Sequence, residues 1–98
     1  MPKKSGLRQT EPSLTPKNLK RCSLDKVAHG RDAMVLELRG DRCAEQQLVY
    51  RGIRPGEMLR VRQIAPLGGP IMVEVNGGSV AIGRALARHI VVGVVPLP

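Results

Sequence analysis

The 98-residue chain has room for one small domain with one modest core. With a single Tyr and no Phe or Trp, that core has to be built from Val, Ile, Leu and Met. No apolar run approaches the roughly 18–20 residues of a membrane span, and the opening MPKKSGLRQTEPSLTPK lacks the apolar centre of a signal peptide, so a cytoplasmic protein is expected. The formal net charge of +8 is uneven: residues 1–21 carry six Lys and Arg against one acid, and residues 22–98 carry ten against seven, so the basic character is that of a tail rather than of a folded face.

Residues 1–21 are rich in Lys, Pro, Ser and Thr and have no hydrophobic period. They bring too little apolar area to offset the entropy of ordering, and a disordered N-terminal tail ahead of a domain at 22–98 is expected. DAMVLELRG, Asp32 to Gly40, reads as the first strand, with Met34, Leu36 and Leu38 on one face and Val35, Glu37 and Arg39 on the other. CAEQQLVYRG then breaks the two-residue alternation with helix-tolerant residues, Asp41 standing as its N-cap and Gly52 as its left-handed stop. In IRPGE, Pro55 presets the first central angle of a type II turn and Gly56 supplies the positive φ of the second.

MLRVRQI, Met58 to Ile64, alternates Leu59 and Val61 against Arg60 and Arg62, and PIMVEVNG, Pro70 to Gly77, alternates Ile71, Val73 and Val75 against Met72 and Glu74. Between them, APLGGP stops strand pairing at Pro66 and Pro70, which have no N–H to donate, while its glycines allow the chain to reverse. A hairpin loop that is stiff at both ends, with Leu67 at or near its tip, is the result. NGGS is a tight turn into the strand SVAI, GRALARHI is a single helical turn, and IVVGVV, Ile90 to Val95, is a buried closing strand. Five short strands, with one short helix after the first and a one-turn helix before the last, make a mainly β chain with the layout of a small SH3-like barrel.

The inventory for catalysis is poor. His29 and His89 have no Cys or carboxylate at ligand spacing, and Cys22 and Cys43 lack a C-x-x-C arrangement and read as free thiols. The serines have no G-x-S-x-G frame, no carboxylate pair is placed for acid–base work and no phosphate-binding glycine loop occurs. No enzyme, no metal site and no cofactor is expected. Small basic barrels often bind nucleic acid, but single-strand binding uses exposed aromatic platforms and this chain has only Tyr50. Salt-sensitive phosphate binding through the tail is the alternative that remains, and the same charges would be drawn weakly to an anionic membrane face. For Leu67 two positions fit the pattern equally: held out as an anchor that loses little entropy on docking, or folded back over the barrel end as a plug.

LVYRGIRPGEMLRVRQIAPLGGPIMVEV, followed by SVAIGRALARHIVV, resembles the FeoA-like family of ferrous iron transport accessory proteins. The likeness lies in Leu48, Gly52, Ile53, Pro55, Gly56, the loop Ala65 to Pro70, and Ala87, Ile90 and Val92, with Leu24, Val27 and Gly30 in the opening segment. The resemblance implies an SH3-like barrel that serves as a non-enzymatic adaptor for the membrane ferrous iron transporter with a GTP-binding domain, FeoB. The same barrel also forms the C-terminal domain of metal-dependent repressors, whose winged helix and dimerisation region need more than the 21 residues ahead of residue 22. A stand-alone relative of that repressor domain is therefore the other alternative.

Arg51 stands where the family usually has an apolar residue. Either Tyr50 fills the core in its place, or this helix end is remodelled into a partner surface. The expected surface combines the helix end (Tyr50, Arg51, Arg54) with the hairpin tip (Pro66, Leu67, Pro70), an apolar anchor beside a charged rim.

Overall fold

The Pro55–Gly56 turn, the Ala65–Pro70 loop and the alternating strands on either side of that loop set the frame. A computed structural model describes residues 19–96. Six antiparallel strands form one sheet: β1 (Lys20–Ser23), β2 (Asp32–Leu38), β3 (Met58–Ile64), β4 (Ile71–Val75), β5 (Gly78–Ile82) and β6 (Ile90–Val94), in the order β1-β6-β2-β3-β4-β5. A helix, α1 (Arg42–Tyr50), lies between β2 and β3, and a single turn, α2 (Arg84–Ala87), lies between β5 and β6. Leu24–Lys26 form a 3-10 turn after β1. Ile82 of β5 and Cys22 of β1, on opposite edges of the sheet, pack on the same aliphatic cluster, so the sheet curls around one core in the expected SH3-like manner. No described helix is long and apolar enough to cross a membrane.

β3 and β4 bury the residues their alternation assigns: Leu59 and Val61 face inward, as do Ile71, Val73 and Val75. β2 differs from its expected facing. Ala33 and Val35 are fully buried whereas Met34 and Leu36 are half-exposed. The register with β6 shifts between Val35 and Glu37, making Leu36 an inserted residue, and this bulge returns Leu38 to the core side. A strict period of two cannot anticipate such a shift, and it puts Leu38 on one face with Met34 and Leu36.

The sixth strand is β1, beginning at Lys20, and it arises from pairing rather than pattern. Lys20 to Ser23 line up with Val94 to Val91 of β6. Leu19 is buried over Gly93, where a Cβ would come within 2.6 Å of the Leu19 Cβ. The rest of the expected basic tail, residues 1–18, lies outside the described residues.

α1 is capped as its sequence predicts. The Asp41 carboxylate accepts from the Ala44 amide at 2.8 Å, and Gly52 is left-handed at φ +91°. The Gly52 amide donates to Val49 O and the Ile53 amide to Leu48 O, each at 2.9 Å, which is a Schellman ending. Its hydrophobic pair, Leu48 and Ile53, is completely buried.

Across β2 and β3, Arg60 donates to both Asp32 oxygens, at 2.6 and 3.2 Å. That bond holds the Asp32 carboxyl below its ordinary value, with the neighbouring guanidinium charge adding to it and partial burial opposing it. A lowered folded-state pKa stabilises the fold above the ordinary carboxylate range and ceases to do so as pH falls through the lowered value. Asp32→Asn is therefore expected to lower the urea midpoint at pH 7 and to leave it close to the parent's once the pH has fallen through the lowered folded-state value. Separately, Gly93→Ala is expected to cost about 1–3 kcal/mol in urea denaturation and to speed amide exchange in β1 more than in β3, because Leu19 must move.

Candidate functional site

The Schellman ending decides where the end of α1 points. With Leu48 and Ile53 pinned in the core, the residues between them are left outside: Tyr50 is 93% exposed, and Val49 and Arg51 are also exposed. Tyr50 therefore does not take the core place left by Arg51. The Arg51 guanidinium reaches across to β5 and donates to Ala81 O at 3.1 Å, and Gly52 lies against Asn76 at the start of the β4–β5 turn. Arg54 stays over its own turn, 4.0 Å from Glu57.

The APLGGP loop closes by a tight turn in which the Gly69 amide donates to Pro66 O at 3.1 Å. Its central residues, Leu67 and Gly68, have φ of 59° and 75°, the two positive values of a type I′ turn. The β4–β5 hairpin contains the same pair of values at Asn76 and Gly77, 52° and 79°. Asn-Gly is the favoured occupant of such a turn and Leu-Gly is not: a left-handed L-residue without a short polar side chain costs about 1–2 kcal/mol. Leu67 is also fully exposed, at 102% of its reference surface, so it does not fold back as a plug. The tip thus combines backbone strain with an apolar side chain in water, and neither feature favours the isolated fold.

The base of the loop is rigid for another reason. The Ala65 amide donates to Pro70 O at 3.0 Å, but Pro70 has no N–H to return the bond to Ala65 O. Arg84, at the start of α2, supplies the donors: its Nη2 reaches Ala65 O at 3.2 Å and its Nε reaches Gly69 O at 3.1 Å. A Cβ on Gly69 would lie 2.7 Å from the Ala65 Cβ, so the two stems approach as closely as glycine permits.

Beneath the loop, Gln63, Ala65, Pro70, Met72 and Ala81 line a small apolar groove of about 100 Å³. Ala81 is the link between the two halves of the expected surface, since its carbonyl takes the Arg51 bond and the residue lines the groove together with Pro70. Arg51 and Pro70 are brought together in this way, and Pro66 and Leu67 extend from the same hairpin. Among the described residues no hydrogen bond or ion pair ties Tyr50 or Arg54 to the loop. Tyr50 belongs instead to an open hollow of about 410 Å³ on α1, with Arg42, Glu45, Gln46 and Val49.

Those four helix residues recur at three- and four-residue spacing, a face readable from the sequence but not singled out there. Arg84 and the groove residues other than Pro70 were likewise not singled out. The clue to Arg84 was the missing proline donor, which leaves a carbonyl in need of a partner.

Cys43 is exposed and Cys22 partly buried, both as free thiols, and burial pushes the Cys22 thiol up. Among the described residues no three His, Cys, Asp or Glu are grouped to hold a metal ion.

A family model for the FeoA domain matches residues 22–94. A curated homologue named Fe(2+) transport protein A, from Methanocaldococcus jannaschii, is 36% identical over 63 residues, covering 64% of this chain and 74% of the homologue. The crystal structure of an iron uptake regulatory protein (FeoA) superposes with a TM-score of 0.70 at 32% identity, over 78% of this chain and 99% of that one. The solution structure of the FeoA protein from Chlorobium tepidum gives 0.70 at 30% identity, over 76% and 70%. A manganese-dependent transcriptional repressor, 22% identical with a TM-score of 0.71 over 76% of this chain and 42% of the repressor, shares the fold alone.

Leu67→Asn is expected to raise stability by about 0.5–1 kcal/mol in urea denaturation, because it puts the favoured Asn-Gly pair into the turn and removes an exposed apolar side chain. An unchanged or lower stability would show that the left-handed Leu67 is not strained.

Proposed function

This chain belongs to the FeoA domain family, and from that premise we propose that it is a non-enzymatic accessory protein of ferrous iron uptake. It acts at the cytoplasmic side by binding and modulating the membrane ferrous iron transporter that carries a GTP-binding domain. The contact surface is made by the hairpin tip, Pro66, Leu67 and Pro70, and by the end of α1, Tyr50, Arg51 and Arg54.

One observation carries this reading: Leu67 is a fully exposed leucine in a left-handed turn position. Stability alone would place Asn, Asp or Gly there. An apolar anchor held out in one conformation has little left to lose on docking, so its burial in an apolar cleft goes almost entirely into affinity. Arg51 and the exposed ring of Tyr50 stand at the helix end as the amphipathic rim of the contact. The homologue's name, Fe(2+) transport protein A, supports the choice of ferrous iron uptake as the setting.

The test is a calorimetric titration of the chain into the detergent-solubilised transporter, with mixed oligonucleotides as a control. Saturable binding that survives raised salt and weakens about tenfold or more in Leu67→Asp is expected. Asp-Gly suits a type I′ turn, so this variant keeps the fold while losing the anchor. Unchanged affinity in Leu67→Asp would sink the loop's role. Heat with oligonucleotides alone, abolished by salt, would replace the adaptor reading with phosphate binding.

A further inference from the structure

We infer that Arg84 is the positioning residue that keeps Leu67 presented for docking, by donating the two hydrogen bonds that hold the stems of its turn together. The inference rests on the docking role proposed above for Leu67 and adds a residue that touches no partner itself.

The chemistry begins with what proline lacks. In an antiparallel pair facing each other across hydrogen bonds, both N–H groups donate; at Ala65 and Pro70 only the Ala65 amide can, at 3.0 Å. Half the pair is missing at the point where the loop leaves the strands. The Arg84 guanidinium presents its donors in a rigid planar fork, and two of them meet carbonyls on opposite stems, Ala65 O at 3.2 Å and Gly69 O at 3.1 Å. One residue thus closes the loop from outside the hairpin.

Arg84 is itself held in place. It opens α2, whose Ala87 is fully buried and donates its amide to Gly83 O at 2.9 Å, so the core fixes the backbone from which Arg84 reaches.

Strain makes the clamp matter. Leu67 sits at φ 59°, a conformation that relaxes unless its surroundings over-determine it. Of the bonds that shape this loop, the Gly69 to Pro66 bond spans the turn and the Ala65 to Pro70 bond closes its base; the two from Arg84 are the ones made from outside the hairpin. With Arg84 gone, Leu67 is free to leave the left-handed region and settle toward the apolar groove that the loop ends, Ala65 and Pro70, share with Met72 and Ala81. The folded domain then persists while the anchor is lost. A lysine can offer its compact ammonium to one carbonyl but cannot span both as the fork does.

The test uses the intact chain with Arg84→Ala, Arg84→Gln and Arg84→Lys, read first by amide hydrogen exchange without any partner. Arg84→Ala is expected to speed exchange at the Ala65 and Gly69 amides about tenfold, with amides of β6 and α1 unchanged and Arg84→Lys intermediate. The same proteins are then titrated into the detergent-solubilised transporter. Arg84→Ala is expected to weaken binding about tenfold in the parent chain and to change nothing when Leu67→Ala is already present, since Arg84 acts through Leu67.

Unaltered exchange in the loop, or losses that add independently of Leu67→Ala, would overturn the inference. If Arg84→Ala does not fold, Arg84→Gln and Arg84→Lys carry the same comparison. Absence of binding by the parent chain overturns the docking reading alone, because the exchange measurement still decides whether Arg84 sets the loop.

Discussion

A core made only of aliphatic side chains is the constraint from which the rest of this domain follows. Without Phe or Trp, no single residue spans the interior, so every strand must turn its one apolar face to the same small cluster. An extended flat sheet could not do this. The six strands therefore curl until the two edges share the cluster, and two register shifts, at Leu36 in β2 and at Arg62 in β3, take up the difference between a straight ladder and a curled one. The same demand pins Leu48 and Ile53 on either side of the end of α1 and turns Tyr50 outward.

Given that core, the two projecting elements follow a common logic. In each, a backbone reversal is fixed from both sides, and the residues caught in the middle are left in water. At the end of α1 the fixing agents are two buried side chains; at the β3–β4 loop they are two prolines and a guanidinium from α2. Rigidity of this kind does nothing for a loop with no task, and it coincides here with an apolar residue in an unfavourable backbone region. The neighbouring Asn76–Gly77 turn shows what the same geometry looks like when stability alone chooses the residues. Under the proposed function, this local sacrifice of stability within a well-packed frame is what keeps a binding edge available.

Much of this was legible in the chain itself. Asp41 and Gly52 bounded the helix, Pro55–Gly56 and Asn76–Gly77 marked turns, and the alternation in MLRVRQI and PIMVEV assigned the inward residues of β3 and β4 correctly, because each signal is local and physical. β2 was misread at its faces, since a bulge depends on the register of the partner strand. β1 escaped notice because four residues reading KRCS have no pattern of their own and become a strand only by pairing with β6 and by seating Leu19 over Gly93. At the candidate site, the chain revealed a stiff loop with a leucine at its tip and left that leucine's orientation open.

By itself the sequence determined the ordering of the elements, the composition of the core and the place where strand pairing has to stop, for these depend on propensity, periodicity and the missing proline N–H. Tertiary structure alone decided that Leu67 stands in water, that Ala81 joins the helix end to the loop and that Arg84, fifteen residues from Gly69, closes the turn. Such facts rest on which distant groups arrive within hydrogen-bond reach once the sheet has curled, and no local pattern in a chain encodes a distance of that kind.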